Sequence, residues 1–316
     1  MNIAFILDPL EAVDIRKDSS FAMMREAAKR GHDLHVLHQE DIVLSEGSVR
    51  AASRKILLTG SEPVWYRLGE ARPTALADFD AVLMRKDPPF DMEYFYSTHL
   101  LELAEREGAR IFNGPGALRN WNEKLAILRF PELIPPTLVS RSEEAIRGFL
   151  DAHKDIIVKP LDGMGGAGIF RMRENDPNIG VIVETITLYG KRTVMAQRFI
   201  PEIEKGDKRI LVVGGIAAPY CLARIPKPGE TRGNLASGGK GVAQPLSVRD
   251  REIAALVGPA LEAEGIVLAG LDVIGDCLTE INVTSPTCMQ EIMAQTGFDV
   301  AKMVIDLLEV RCACSP

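Results

Sequence analysis

The hydrophobic pattern changes period along the chain. Asn2 to Asp8 is an apolar run closed by Asp8-Pro9, which predicts a strand buried on both faces. A polar loop leads to a helical pattern from about Ser19 that stops at Gly31, and a second strand, Asp33 to His38, follows at once. Ala81 to Lys86 reads as a third strand, Pro89 to Glu107 as a helix closed by Gly108, and Ala109 to Asn113 as a fourth strand. Strands alternating with helices imply a parallel, doubly wound sheet. The stretch from Glu40 to Asp78 alternates only weakly and yields no assignment.

After Gly114-Pro115-Gly116 a short helical stretch, Asn122 to Leu128, joins a second unit of different pattern. Ser142-Glu143-Glu144 caps a helix reaching His153. Strand Ile156 to Lys159, a glycine-rich turn, strand Ile169 to Met172, a helix near Gly180 to Leu188 and strand Thr193 to Phe199 complete a small α+β unit. Asp207 to Gly214 and Ile216 to Arg224 predict a hairpin through Gly214-Gly215, and Pro226 to Pro245 a long glycine-dense loop. Loops of that length are usually functional lids or disordered segments. A helix (Val248 to Glu264), a strand pair (Val267 to Val283) and two helices finish the chain. The expected fold is α/β, with parts at 1–121, 122–200 and 201–316 and a mobile loop at 226–241.

Composition narrows the function classes. The 316 residues carry 37 Lys plus Arg against 44 Asp plus Glu, a net charge of -7 that would repel a polyanion, so nucleic acid is not expected as a partner. No apolar stretch has the roughly 18 residues needed to span a bilayer, so no membrane partner is expected. Five scattered cysteines fit free thiols in a reducing compartment, and the chain reads as cytoplasmic. Cys312 and Cys314 are close enough to oxidise together, although a frayed tail is the plainer reading.

Three groups of residues bear chemistry. Lys159 ends an apolar strand just before Asp162-Gly163-Met164-Gly165-Gly166-Ala167-Gly168, where glycines let backbone N–H groups converge on an anion. The same residues also read as a glycine-rich β-turn beside a snorkelling lysine. Leu271 to Val283 holds Asp272, Glu280 and Asn282 among residues that belong inside, and these are hard oxygen ligands suited to Mg²⁺. A three-residue loop, Gly275 to Cys277, would set Asp272 opposite Glu280 with all three oxygens on one face. A two-residue loop would pair Asp272 with Thr279 and turn Glu280 away. Arg209 and Arg224 on the hairpin, with Arg232 and Lys240 in the long loop, suit phosphate or carboxylate recognition. His32, His35 and His38 alternate faces at strand spacing and do not converge, and Cys288 at a helix start lacks a partner base, which leaves it a structural thiol.

In one order along nearly the whole chain, a set of blocks resembles the bacterial-type glutathione synthetases of the ATP-grasp superfamily. The blocks begin with Lys17-Asp18-Ser19-Ser20-Phe21-Ala22-Met23, Met84-Arg85-Lys86-Asp87-Pro88-Pro89-Phe90-Asp91, Asn122-Glu123-Lys124-Leu125 and the Lys159 loop. Gly206 to Arg209, Pro219 to Pro226, Gly229 to Asn234 and Thr279 to Thr287 continue the series. The resemblance implies an N-terminal α/β domain followed by two α+β units that sandwich the nucleotide. It implies a ligase that phosphorylates γ-glutamylcysteine with ATP and lets glycine attack the acyl phosphate, giving glutathione, ADP and phosphate.

By the same resemblance Lys124 and Lys159 are phosphate ligands, with Gly163, Gly165 and Gly166 beside them. Gln197, Arg198, Phe199 and Ile200 supply groups to adenine, and Asp207 holds the ribose. Asp272, Glu280 and Asn282 hold Mg²⁺ or Mn²⁺, and Arg209 stabilises the acyl phosphate and the tetrahedral oxyanion. Asp18, Ser20, Arg85, Arg224, Arg232, Asn282 and Ser285 are assigned to the peptide and glycine pocket, and the loop 226–241 to a lid that excludes water. Family members are usually homo-oligomers, so a dimer or tetramer is expected. Two rivals remain at this point: another ATP-grasp carboxylate-amine ligase, and a non-catalytic ATP-binding regulatory module. A dinucleotide-dependent oxidoreductase lacks any G-x-G-x-x-G after Leu7.

Overall fold

The computed structural model describes residues 1–60, 64–230, 232–235 and 238–313. Cys314, and with it the question of its oxidation with Cys312, lies outside the described residues. Among the described residues the strands form three sheets.

The first sheet contains β1 (Asn2–Ile6), β2 (Asp33–Leu37), β3 (Ile42–Ser45), β4 (Ser48–Leu58), β5 (Tyr66–Leu68), β6 (Arg72–Ala75), β7 (Ala81–Met84) and β8 (Ile111–Phe112). Strands β2, β1, β7 and β8 run parallel, as the alternating pattern predicts. Ile3, Ala4, Phe5 and Ile6 are fully buried because helices cover both faces of such strands. The weakly alternating stretch from Glu40 to Asp78 is an antiparallel arm, in which β3, β5 and β6 all pair with the long β4. Helices α1 (Ser19–Lys29), α2 (Met92–Arg106) and α3 (Pro115–Asn120) flank this sheet. Asp18 caps α1 by accepting from the Phe21 amide at 2.5 Å, and Asp91 caps α2 through the Tyr94 amide at 2.9 Å.

A four-stranded antiparallel sheet follows: β9 (Thr137–Ser140), β10 (Asp155–Pro160), β11 (Phe170–Arg173) and β12 (Val194–Arg198), in the order β11-β10-β12-β9. Helices α4 (Glu143–His153), capped by Ser142 as expected, and α5 (Ile179–Thr187) cover one face. Their packing encloses a small core of its own, including Ile146, Leu150, Ile156, Val158, Val194 and Ala196.

The third sheet contains β13 (Asp207–Val213), β14 (Ile216–Ile225), β15 (Lys240–Pro245), β16 (Leu268–Ile274) and β17 (Cys277–Asn282), with α6 (Val248–Ala263), α7 (Met289–Thr296) and α8 (Val300–Ala313). Gly214 and Gly215, at φ 55° and 74°, form the two-residue turn between β13 and β14. The long loop is shorter than its composition suggests. Lys240 to Pro245 belong to β15, recruited by pairing with Tyr220 to Ile225. Helix α8 packs back on α1, and the apolar residues of α7 and α8 join those of β1, α1 and β13 in one core. Cys312 sits in α8 rather than in a frayed tail, its thiol on the Asp80 carbonyl at 3.1 Å.

Candidate active site

Register on the third sheet creates the polar wall. Asp207 and Arg209 lie two apart on β13, opposite Ile274 and Asp272 on β16, and Asp207 also faces Arg224 on β14. Directly paired residues point to the same face, so the four ionic side chains share it. Arg209 donates to Asp272 from Nε at 2.6 Å and from a terminal nitrogen at 3.1 Å. Arg224 reaches Asp272 at 2.9 Å and Asp207 at 2.5 Å. Gly270 leaves the room: a Cβ there would stand 2.7 Å from Cδ of Arg209.

The hairpin that carries Asp272 and Glu280 follows neither of the two expected loops alone. Its loop is Gly275 and Asp276, two residues, with Ile274 opposite Cys277. A bulge at Thr279 then shifts the register by one and restores Asp272 opposite Glu280. Thr279 Oγ1 donates to the Asp272 carbonyl at 3.1 Å, which holds the bulge. Asn282 stands opposite Gly270 and donates Nδ2 to its carbonyl at 3.2 Å, which turns Oδ1 the other way.

Both lysines reach this wall. Lys124 Nζ donates to Glu280 Oε1 at 3.0 Å and to the Gly163 carbonyl at 2.6 Å. Lys159 Nζ donates to the Thr279 carbonyl at 3.0 Å. A cavity of about 360 Å³ lies between the second and third sheets. Lys124, Lys159, Asp272, Glu280 and Asn282 all border it, as do Gly163, Gly165, Gly166, Gln197, Arg198, Phe199, Ile200, Asp207, Arg209, Arg224, Arg232 and Ser285.

Asp18, Ser20 and Arg85 do not border the cavity. Arg85 is buried one layer behind, donating to Ser20 Oγ at 3.1 Å and to the Pro286 carbonyl at 3.0 Å, directly beside Ser285. Asp18 is occupied as the cap of α1. The histidines have separate partners, His32 on Glu309 and His38 on the Leu7 carbonyl, while His35 packs on Phe79. Burial raises the Cys288 thiol despite the nearby Arg209 and Arg224 charges, although it starts a helix and borders the cavity.

Burial and pairing set the charges. Burial opposes the Asp272 carboxylate, but Arg209 and Arg224 outweigh it and hold the group well below the ordinary range. Lys159 is pushed down to about 8, chiefly by burial and also by Lys124, against the pull of Glu280. Lys124, equally buried, is raised because Glu280 bonds it directly. Burial also raises Asp207, whose Oδ1 has no hydrogen-bond partner at the cavity wall. An orphaned acceptor there is what a ligand hydroxyl would satisfy.

Sequence reasoning missed Glu123. Its Oε1 accepts from the Val283 amide at 2.9 Å, the Thr284 amide at 3.1 Å and the Thr284 hydroxyl at 2.8 Å. Asn113 binds the same loop from the other side, donating to the Val283 carbonyl at 2.8 Å. Glu123 lies between two residues of the Asn-Glu-Lys block, and that position was its only signal.

Lysines and arginines beside two carboxylates and an amide oxygen can hold an anionic polyphosphate with a hard cation. Among the described residues no cluster of three His, Cys, Asp or Glu could hold a metal. A cation here would depend on Asn282 and on the ligand's own oxygens. The charges of this site would also stabilise charge that develops during group transfer.

Comparison with known proteins gives consistent findings. The model of the prokaryotic glutathione synthetase N-terminal domain matches residues 1–119, and that of the prokaryotic glutathione synthetase ATP-grasp domain matches residues 123–297. The chain is 60% identical to the glutathione synthetase of Nitrosomonas europaea over 316 residues, covering 99% of each chain. It is 57% identical to that of Ralstonia nicotianae, covering 98% of this chain and 95% of the relative. Its fold is similar to that of D-cycloserine synthetase DcsG, with a TM-score of 0.69 at 15% identity over 99% of this chain and 100% of the other. The ATP-grasp ligase PsnB, complexed with minimal precursor, Mg and ADP, aligns with a TM-score of 0.64 at 17% identity over 98% of each chain.

Proposed function

This chain belongs to the prokaryotic glutathione synthetase family and is an ATP-dependent ligase that makes glutathione, and from that premise we propose how its residues share the work. The cavity binds ATP with its phosphates at the Lys124 and Lys159 end, and γ-glutamylcysteine and glycine toward Arg209, Arg224 and Ser285. The observation that carries this reading is the meeting of Lys124, Lys159, Asp272, Glu280 and Asn282 around one cavity. We divide the chain into an N-terminal lobe (1–121), a central lobe (122–200) and a C-terminal lobe (201–316).

A carboxylate is a poor electrophile until it is activated. The cysteinyl carboxylate oxygen attacks the γ-phosphorus of ATP, the bond to ADP breaks, and the acyl phosphate forms. The glycine amine then attacks the acyl carbon and loses a proton, and phosphate leaves. Such transfers need positioning and charge neutralisation more than a nucleophilic side chain. Lys124 and Lys159 hold the phosphate oxygens, and the amides of Gly163, Gly165 and Gly166 close over them. Asp207 Oδ1 accepts a ribose hydroxyl. Arg209 faces the acyl phosphate and the tetrahedral oxyanion, while Arg224, Arg232, Asn282 and Ser285 orient the peptide and glycine. Arg85, Asp18 and Ser20 act one layer back, on the loop that carries Ser285.

Asp272, Glu280 and the Asn282 amide oxygen fit Mg²⁺, with Mn²⁺ as the alternative ion, because all are hard oxygen donors on one face. When bound, the cation would neutralise the charge of the phosphate groups on either side of the P–O bond that breaks. The loops 162–168 and 226–239 exclude water from an intermediate that water would destroy. We place the enzyme in the cytoplasm, which accords with the free thiols of Cys221, Cys277, Cys288 and Cys312, and as a homo-oligomer whose size a sedimentation measurement would give.

The test is ADP release with each substrate left out in turn. Release that needs both γ-glutamylcysteine and glycine is the expected result. No response to that pair, with turnover on another acid and amine, would overturn the substrate assignment.

A further inference from the structure

We propose that Thr137 fixes the Gln197 side chain with its amide oxygen toward the base of the bound nucleotide, and that this oriented acceptor selects adenine over 6-oxopurines. The inference rests on the reading above that the phosphates lie at the lysine end of the cavity. The opposite end is apolar, walled by Ile157, Ile169, Phe199, Ile200 and Ile274, and a planar base belongs there.

Gln197 sits at that end. On β12 it pairs with Ile157 of β10 and with Thr137 of β9, so the three side chains share the face that looks into the cavity. Gln197 is 4% exposed, and a buried amide must place both its donor and its acceptor. The Thr137 hydroxyl oxygen lies 2.7 Å from the Pro135 carbonyl and 3.1 Å from Gln197 Nε2. A carbonyl only accepts, so the single hydroxyl proton of Thr137 is committed to Pro135. Thr137 Oγ1 then serves Gln197 only as an acceptor, and the amide nitrogen has to face it.

The orientation of the amide therefore follows from distances alone. Nε2 is spent on Thr137, and among the described residues the side chain makes no other hydrogen bond. Oε1 is left as an acceptor on the cavity side. The 6-amino group of adenine donates to such an oxygen. The 6-oxo group of hypoxanthine or guanine would meet it lone pair to lone pair. A site built around one hydrogen bond rejects the analogue that cannot make it, because a buried polar group is then left unpaired. Thr137 itself does not border the cavity, so its effect passes through Gln197 and makes it a positioning residue.

The experiment measures kcat and KM with ATP and with inosine triphosphate for the full chain and for Thr137→Val, Thr137→Ser and Gln197→Leu. Melting temperatures establish that each variant is folded. Thr137→Val frees the Gln197 amide to turn over. The preference in kcat/KM for ATP over inosine triphosphate is expected to fall by about tenfold or more. The KM for ATP rises while that for inosine triphosphate falls, and Thr137→Ser restores both. A merely structural role would raise the two KM values together and leave their ratio unchanged, and that result overturns the proposal. Gln197→Leu separates the two levels of inference. If its KM for neither nucleotide moves, the base lies elsewhere and the reading of the cavity falls too. If its KM for ATP rises while Thr137→Val keeps the wild-type ratio, only the orienting role of Thr137 falls.

Discussion

The C-terminal and central sheets face each other across one cavity, yet they are anchored differently. Apolar residues of the C-terminal sheet, among them Ile210, Leu211, Leu268 and Leu271, belong to cores that also contain residues of the N-terminal sheet. The central sheet keeps its own small core under α4 and α5, and Met195 is its one fully enclosed residue that joins the large core. Their polar contributions differ in the same way. The C-terminal wall presents Arg209, Arg224 and Asp272, each with a side chain no more than 6% exposed and already paired with the others. The central wall presents one buried lysine, a glycine loop and an oriented amide. A wall of mutually paired charges holds its geometry before any ligand arrives, whereas a wall of backbone groups takes its geometry from the conformation of its loop. Paired charge and loop backbone are thus assigned to separate sheets.

The strongest way to break this contrast is to remove a charge from the fixed wall. Arg209→Ala takes away the partner on Asp272 Oδ1 but leaves Arg224 on Oδ2. The fold should survive, and turnover should fall by about 10²- to 10³-fold, the usual cost of losing one donor to a developing oxyanion. ATP affinity, measured by calorimetry, should stay near normal. A collapse of that affinity instead would move Arg209 to the nucleotide. Glu280→Gln comes next. It keeps the shape but weakens both the cation site and the bond from Lys124, so turnover should fall about 10- to 100-fold and recover partly at high Mg²⁺. Unchanged activity at limiting Mg²⁺ would remove Glu280 from the cation site.

A smaller effect is expected on the glycine-loop side. Gly166 has φ +82°, and a Cβ there would come within 2.8 Å of Asn234 Oδ1 in the long loop. Gly166→Ala therefore strains its own backbone and pushes that loop away. About 1 kcal/mol of such strain corresponds to roughly a fivefold rise in KM for ATP, with the melting temperature lowered by no more than about 4 °C. Gly229→Ala is the control, since φ there is +83° but nothing stands within 4 Å. Equal effects from the two substitutions would mean that backbone strain, not the contact between loops, is what the enzyme feels.

Much of this arrangement was legible because strong local signals carried it. The Lys159 loop, the Gly214-Gly215 turn and the acidic pair on β16 and β17 each combine an apolar strand with residues that do not belong in one. The antiparallel arm from β3 to β6 was not legible, since its strands are short and half-exposed and gain their identity from pairing with β4. The β16–β17 register was beyond any loop-length argument. A two-residue loop alone turns Glu280 away, and the bulge that returns it depends on the Thr279 hydroxyl finding the Asp272 carbonyl. Glu123 was hidden for a related reason: its partners, Val283 and Thr284, are some 160 residues distant in sequence. Tertiary contacts that reset a local pattern leave no period to read.

The smallest expected effect comes from the buried charge that the central sheet contributes. Lys159 is buried and its ammonium is depressed to about 8, whereas Lys124 keeps its charge because Glu280 touches it. In the free enzyme Lys159 is therefore charged at neutral pH and loses its proton as the pH passes 8. Its attraction for phosphate is present below that point and lost above it. The dependence of kcat/KM for ATP on pH, which reports groups of the free enzyme, should stand at about half its plateau at pH 8 and fall further beyond. Saturating ATP should hide the effect, since bound phosphate raises the ammonium again. Lys159→Arg should remove the alkaline limb while lowering the plateau, because a guanidinium stays protonated throughout this range. If the limb persists in that variant, the titrating group belongs to the wall of paired charges, and the division between paired charge and loop backbone would have to be redrawn around it.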